Sequence, residues 1–316
     1  MAVYTKVSDG EIRKFVSSYD IGTVVFLHEI AEGIENSNFH LQTGTGDFIL
    51  TLFEKRTNSG DLPFFVGLME HLSSAGLPVP RPVCNKDGAF VMRLKDRDAV
   101  IVSFLPGRPV ERTEPRHAFE LGRVMAELHR TASGYQHRRA NDLSTDGWVR
   151  TYRAIKGQES IYPGLSRKIE NELSWLRRHW PENLPGGIIH ADLFPDNVFF
   201  TGDHISGLID FYFACSDMLS YDLAIAVNAW CFDESGHFRG DIASSLVSGY
   251  QQLRPLQENE KAAFNILLRG SALRFLLTRL YDALNPLQEA LVTIKDPMEF
   301  LHILEFHQNH CLPEYL

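Results

Sequence analysis

Residues 188–212 read IIHADLFPDNVFFTGDHISGLIDFY, and the order of apolar and polar residues in this run decides how the rest of the chain is read. Val198–Thr201 and Ile205–Ile209 flank the turn residues Gly202-Asp203, which is a hairpin signal. A hairpin brings its two ends together, so Asn197 and Asp210 are expected side by side although thirteen positions separate them. Asp192 lies on a loop just after the strand-like Ile188-Ile189-His190. Three polar groups are thereby fixed at the ends of short apolar strands.

Working outward, residues 1–104 look β-rich. Ile21–Leu27, Asn38–Thr43, Phe48–Phe53, Ala89–Leu94 and Ala99–Phe104 are apolar or alternating runs between Gly, Asn and Asp turn residues. A short amphipathic helix is expected after Ser8-Asp9, and Leu62–Ala75 reads as a helix stopped by Gly76 and the prolines Pro78, Pro80 and Pro82. Beyond Leu105-Pro106-Gly107 the apolar residues recur at helical spacing in Arg116–Ser133, Gly164–His179, Tyr221–Phe232, Asp241–Gln252, Asn259–Ala283 and Pro297–Leu312. Residues 187–210 are the strand-like interruption. The expected architecture is α+β: a small β-rich lobe over residues 1–104 and a larger, mainly helical lobe over residues 105–316.

With 31 basic and 40 acidic residues the net charge is −9, and no basic cluster stands out, which argues against nucleic acid or an anionic membrane as partner. No apolar run is long enough to span a bilayer. The four cysteines, Cys84, Cys215, Cys231 and Cys311, form no C-x-x-C pair, which fits a reducing compartment. The expectation is a cytoplasmic protein, monomeric or homodimeric.

Taken singly, each polar residue of the 188–212 run reads as a satisfied loop polar. Taken jointly, in this order, they match what phosphoryl transfer requires: a carboxylate to accept or orient the hydroxyl proton, and hard oxygen ligands to hold magnesium on the phosphates. Asp192 suits the first role and Asn197 with Asp210 the second, while His190 is expected to order the loop through its ring. His190-x-Asp192-Leu193-x-x-x-Asn197 followed by Asp210-Phe211 resembles the catalytic and metal loops of the aminoglycoside phosphotransferase and choline kinase superfamily. Leu121-Gly122-x-x-Met125-Ala126-x-Leu128-His129 and Asp222-Leu223-Ala224 are similar to further segments of that superfamily. The resemblance implies a protein-kinase-like two-lobed fold with ATP and Mg2+ as cofactors. It implies Asp192 as catalytic base, Asn197 and Asp210 as metal ligands and Asp222 as a structural brace. It also implies nucleotide contact at the hinge Ser103, Phe104 and Leu105.

The chain departs from the kinase-like pattern where a strand lysine usually holds the phosphates, because Thr51 occupies that position. Lys55 shares its strand face but lies about 13 Å further along. Phe65 stands where the partner carboxylate is expected, and Glu70 is poorly placed. The turn at Gly33–Asn38, with Asn36, Ser37 and Asn38, together with Thr51, is the expected substitute for holding phosphates, an ordinary polar turn being the alternative.

Longer stretches resemble the bacterial homoserine kinases of this superfamily. They include Glu35-Asn36-Ser37-Asn38-Phe39, Gly76-Leu77-Pro78-Val79-Pro80, Ile209–Cys215, Tyr221–Phe232 and Ala272–Leu280. The resemblance implies L-homoserine as acceptor. Such a substrate calls for an anion for its ammonium, expected at Asp217, and a cation for its carboxylate, expected at Arg274, with a structural ion pair as the alternative for that arginine. Tyr212, Asn228 and Trp230 complete the expected lining. Choline, hydroxylysine, methylthioribose or an aminoglycoside are the alternative acceptors, and a non-catalytic pseudokinase is the alternative of another class.

Overall fold

The computed structural model describes residues 5–30, 36–54, 58–157, 162–286 and 295–311. These fall into two compact units, one running to Pro106 and the other starting at Gly107.

In the first unit, strands β1 (Val24–Ile30), β2 (Ser37–Thr43), β3 (Gly46–Phe53), β4 (Pro82–Val83), β5 (Met92–Leu94) and β6 (Arg97–Ser103) form one antiparallel sheet. Its order is β1-β2-β3-β6-β4, with β5 also on β6. Period-two alternation buries Phe39 and Leu41 of β2 on one face, where they meet Leu50, Leu52 and Ile101. Helix α1 (Asp9–Val16) covers that face with Ile12, Phe15 and Val16, and its start is fixed by a capping box between Ser8 and Glu11. Helix α2 (Leu62–Ser74) buries Phe65, Leu68 and Leu72. It stops in a Schellman motif: Gly76, at φ 91°, and Leu77 donate their N–H groups back to Ser73 and Leu72.

Two strand starts differ from expectation by three residues. β1 begins at Val24 rather than Ile21, because Tyr19 and Ile21 enter the core ahead of a turn at Gly22. The strand expected at Ala89–Leu94 shrinks to Met92–Leu94, since Asn85 Oδ1 accepts from the N–H groups of Asp87 and Ala89 and holds the chain in a turn.

The second unit contains α3 (Pro115–Ala132), α4 (Thr145–Ile155), α5 (Leu165–His179), α6 (Leu219–Trp230), α7 (Gly240–Leu253), α8 (Glu258–Leu284) and α9 (Pro297–Asn309). Two short antiparallel pairs accompany them: β7 (Gly186–Ile189) with β10 (Cys215–Met218), and β8 (Val198–Thr201) with β9 (His204–Leu208). Helix α4 was not expected; its Trp148, Tyr152 and Ile155, buried at helical spacing, are the signal for it. Helices α3 and α7 touch backbone to backbone. A Cβ on Gly122 would lie 2.0 Å from the Leu246 carbonyl oxygen, and one on Gly249 would lie 2.0 Å from that of Phe119. Helix α6 is buried nearly all round and α8 over most of its length, so the two form the centre of this unit. No helix among the described residues is long and apolar enough to cross a membrane.

Candidate active site

Strand β7 delivers the chain to His190, whose fully buried ring donates from Nε2 to the Ile209 carbonyl at 3.0 Å. The other ring nitrogen, Nδ1, has no partner among the described residues. Burial favours the neutral ring and lowers its pKa to about 4. His190 thus ties the loop after β7 to the end of β9, as an ordering residue. Ala191 follows in the left-handed region at φ 65°, a conformation costing a non-glycine residue roughly 1–2 kcal/mol. The carboxylate of Asp222, on α6, accepts from Ala191 N at 2.7 Å and from His190 N at 2.9 Å. His129 of α3 donates to the same carboxylate at 2.9 Å, and the Tyr250 hydroxyl of α7 meets the other His129 nitrogen at 2.8 Å. Burial by itself would raise the Asp222 pKa, but the His129 hydrogen bond and the loop N–H groups outweigh it and hold the carboxyl below its usual range. The brace expected at Asp222 is therefore a network reaching two further helices.

Asp192 stands half-buried at the turn of the loop. Its carbonyl accepts from Phe194 N at 2.8 Å and from Asn197 Nδ2 at 2.8 Å, and its carboxylate Oδ2 accepts from the same nitrogen at 3.1 Å. A 3-10 turn at Pro195–Asn197 leads into β8. Because β8 and β9 pair with Val198 opposite Leu208, Ile209 N donates to the Asn197 carbonyl at 3.0 Å. Asp210 is the next residue, exposed and left-handed at φ 65°. The hairpin thereby brings Asp210 beside Asn197, and Asn197 beside Asp192.

Residues 27–256 match the model of the phosphotransferase enzyme family. The chain belongs to this family. The homoserine kinase of Xanthobacter autotrophicus is 52% identical over 309 residues, covering 98% of this chain and 96% of that one. The homoserine kinase of Parvibaculum lavamentivorans is 51% identical over 314 residues, covering 99% and 98%. Among solved structures, an amicoumacin kinase in complex with AMP-PNP, Ca2+ and amicoumacin superposes with a TM-score of 0.72 at 17% identity, covering 96% of this chain and 94% of that one. A spectinomycin phosphotransferase in complex with ADP and spectinomycin gives 0.71 at 13%, covering 99% and 100%. At that identity these two share the kinase-like fold.

In this phosphotransferase, which acts on a hydroxyl acceptor, the residues expected to line the acceptor site fall in different surroundings. Trp230, only 2% exposed, donates from Nε1 to the Leu193 carbonyl at 2.8 Å. Arg274, also 2% exposed, donates from Nη1 to the Ala191 carbonyl at 2.6 Å. Both therefore hold carbonyls of the loop on either side of Asp192. Asn228 is buried with both ends engaged: Nδ2 donates to the Leu268 carbonyl at 2.8 Å, and Oδ1 accepts from His307 at 2.8 Å. Asp217 is paired across β10–β7 with Gly187, three residues before His190, and it feels the charges of Arg274 and Asp222, the two side chains that hold Ala191. There it accepts from Asn141 at 2.6 Å and lines an open cavity of about 390 Å3 with Arg138, Gly186, Gly187, Ser216 and Met218. Burial raises its pKa despite the Asn141 hydrogen bond. Tyr212 lies half-buried in the turn Phe211–Phe213.

In the first unit, Thr51 is buried and donates to Asn38 Oδ1 at 2.8 Å across the β2–β3 pair. Asn36 Oδ1 accepts from Glu54 N at 3.3 Å, and the Ser37 hydroxyl donates to the Glu54 carboxylate at 2.8 Å, so both side chains are engaged within the sheet. Thr5 and Arg97 complete that cluster, with Arg97 Nε 2.7 Å from Glu54. Burial alone would raise the Glu54 pKa; the three donors lower it. Ser103 accepts from Arg81 N at 2.9 Å, Phe104 is exposed beside His40, and Leu105 is half-buried. Phe65 packs in the core. Gly33, Ile34, Glu35 and Lys55 lie outside the described residues. His129 and Tyr250 are the participants that sequence reasoning missed; a histidine on the apolar face of α3 was the available signal.

Proposed function

We propose that this protein transfers the γ-phosphoryl group of ATP to the hydroxyl of L-homoserine, giving ADP and O-phospho-L-homoserine. The reaction class rests on the contact between the Asp192 carboxylate and Asn197, with Asp210 brought alongside by the hairpin. The acceptor rests on relatives named homoserine kinase at about half identity over nearly the whole chain.

In this reading Asp192 takes the proton as the homoserine oxygen attacks the γ-phosphorus in line with the departing ADP oxygen. Asn197 Nδ2 orients the carboxylate, and the loop's internal hydrogen bonds keep it in place before substrate arrives. The donor set also suits a cation. With its nitrogen turned to Asp192, the Asn197 amide leaves its oxygen as a hard ligand, and the exposed Asp210 carboxylate is a second. No group of three His, Cys, Asp or Glu side chains suited to a metal occurs among the described residues. Two protein oxygens completed by phosphate and water is the pattern of Mg2+, which when bound would neutralise phosphate charge.

ADP formation measured with Mg2+ and homoserine, choline or hydroxylysine at equal concentration tests the proposal. Homoserine should give the highest kcat/KM. A preference for either other alcohol overturns the acceptor, and no acceptor-dependent ADP at all supports the pseudokinase.

A further inference from the structure

We infer that Arg274 and Trp230 are positioning residues for Asp192, clamping the carbonyls of Ala191 and Leu193 on either side of it so that its carboxylate keeps one direction. The inference rests on reading Asp192 as the base. Ala191 has both polar backbone groups held by side chains from different helices: its N–H by Asp222 of α6 and its carbonyl by Arg274 of α8. Turning either adjoining peptide would release the left-handed conformation at φ 65° but would break one of these buried bonds. The Ala191 carbonyl belongs to the peptide that leads into Asp192, so the 2.6 Å bond from a cationic donor fixes the orientation in which that residue starts. On the far side, Phe194 N and Asn197 Nδ2 hold the Asp192 carbonyl, and Trp230 holds that of Leu193. Neither Arg274 nor Trp230 is more than 2% exposed, so their route to the chemistry is through the loop.

The test is steady-state kinetics on the full chain, with the folded fraction of each variant fixed by circular dichroism. Arg274→Met keeps the volume and removes the donor. It should lower kcat roughly 10- to 100-fold, the cost of a small misplacement, with the KM of homoserine and of ATP within about twofold of wild type. Arg274→Lys, which restores a cationic donor, should recover much of the loss. Trp230→Phe keeps the ring and removes the N–H; it should lower kcat by roughly tenfold with the same KM pattern. Placing Ala191→Gly in the Arg274→Met background should recover part of the rate, because glycine takes the left-handed conformation without its cost. A raised homoserine KM at unchanged kcat would make Arg274 a substrate ligand instead. Wild-type kcat per folded molecule in Trp230→Phe would overturn the clamp even if Arg274→Met does not fold, because that variant loses the bond to the Leu193 carbonyl and keeps the ring. Full turnover by Asp192→Asn would remove the functional reading instead.

Discussion

Ala191 and Asp210 both sit near φ 65°, and each lies at a point where the chain must turn a carboxylate out of a buried strand end. Non-glycine residues keep such a conformation when their surroundings over-determine it, at roughly 1–3 kcal/mol each. Here the surroundings are Asp222, Arg274 and the hairpin register. Asn197 Nδ2 meets both the carbonyl and the carboxylate of Asp192, and asparagine has the same shape with an amide oxygen that still accepts, so Asp192→Asn should preserve the loop while removing the proton acceptor. Its kcat should fall about 10²- to 10⁴-fold, the usual contribution of a general base, with an unchanged melting temperature. A phosphoryl-transfer assay beside a thermal melt checks both. Asp192, Asn197 and Asp210 were legible in the sequence because one local hairpin gathers them. The duties of Arg274 and Trp230 were not, because their acceptors lie 83 and 37 positions away and a buried polar residue on an apolar helix does not announce its partner.

At the scale of elements, α6, α8 and α9 are pinned by Asn228, which bonds the Leu268 carbonyl and His307. Since Asn228 Oδ1 accepts, His307 Nε2 carries the hydrogen and Nδ1 is left buried without a partner among the described residues. Burial, then the charges of His310 and Arg269, lower the His307 pKa to about 3. The unfolded chain takes up this proton near pH 6.5, the folded one only near pH 3. The stabilisation is thus complete above pH 6.5 and is lost as pH falls toward 3, by about 1.4 kcal/mol per unit at most. Urea midpoints at pH 7.5 and 5 should diverge less in His307→Gln than in wild type; equal divergence would remove His307 as a cause. The α3–α7 contact makes a second prediction. Gly249→Ala would set a methyl 2.0 Å from the Phe119 carbonyl, forcing the helices apart at a cost of about 1–3 kcal/mol. The His129–Tyr250 bond spans the same pair of helices, so kcat should fall along with the urea midpoint. Helix ends at Gly76 and at the prolines were legible because backbone chemistry marks them. The start of β1 was not, because Ile21 is as apolar in a turn that enters the core as it would be in a strand.

For the whole molecule, fold and acceptor separate. The fold class followed from strand-period runs giving way to helix-period runs. The solved neighbours share that fold at 13–17% identity, yet their complexes hold amicoumacin and spectinomycin, so the architecture alone does not choose the alcohol. What the architecture does carry is linkage. A ligand that binds only the folded chain stabilises it by RT ln(1 + [L]/Kd), about 2.7 kcal/mol at a hundredfold excess over Kd. If Asn197 and Asp210 hold a cation on the phosphates, part of the stabilisation by ADP must depend on that cation and on those two side chains. Wild-type protein should therefore melt higher with ADP and Mg2+ than with ADP and EDTA. Asp210→Asn should lose this magnesium-dependent increment and retain the magnesium-independent shift. An increment that survives in Asp210→Asn would take that residue out of the cation site. Loss of both shifts would mean that the substitution damages the nucleotide site itself, so the comparison of melts with and without EDTA separates metal binding from nucleotide binding without any turnover assay.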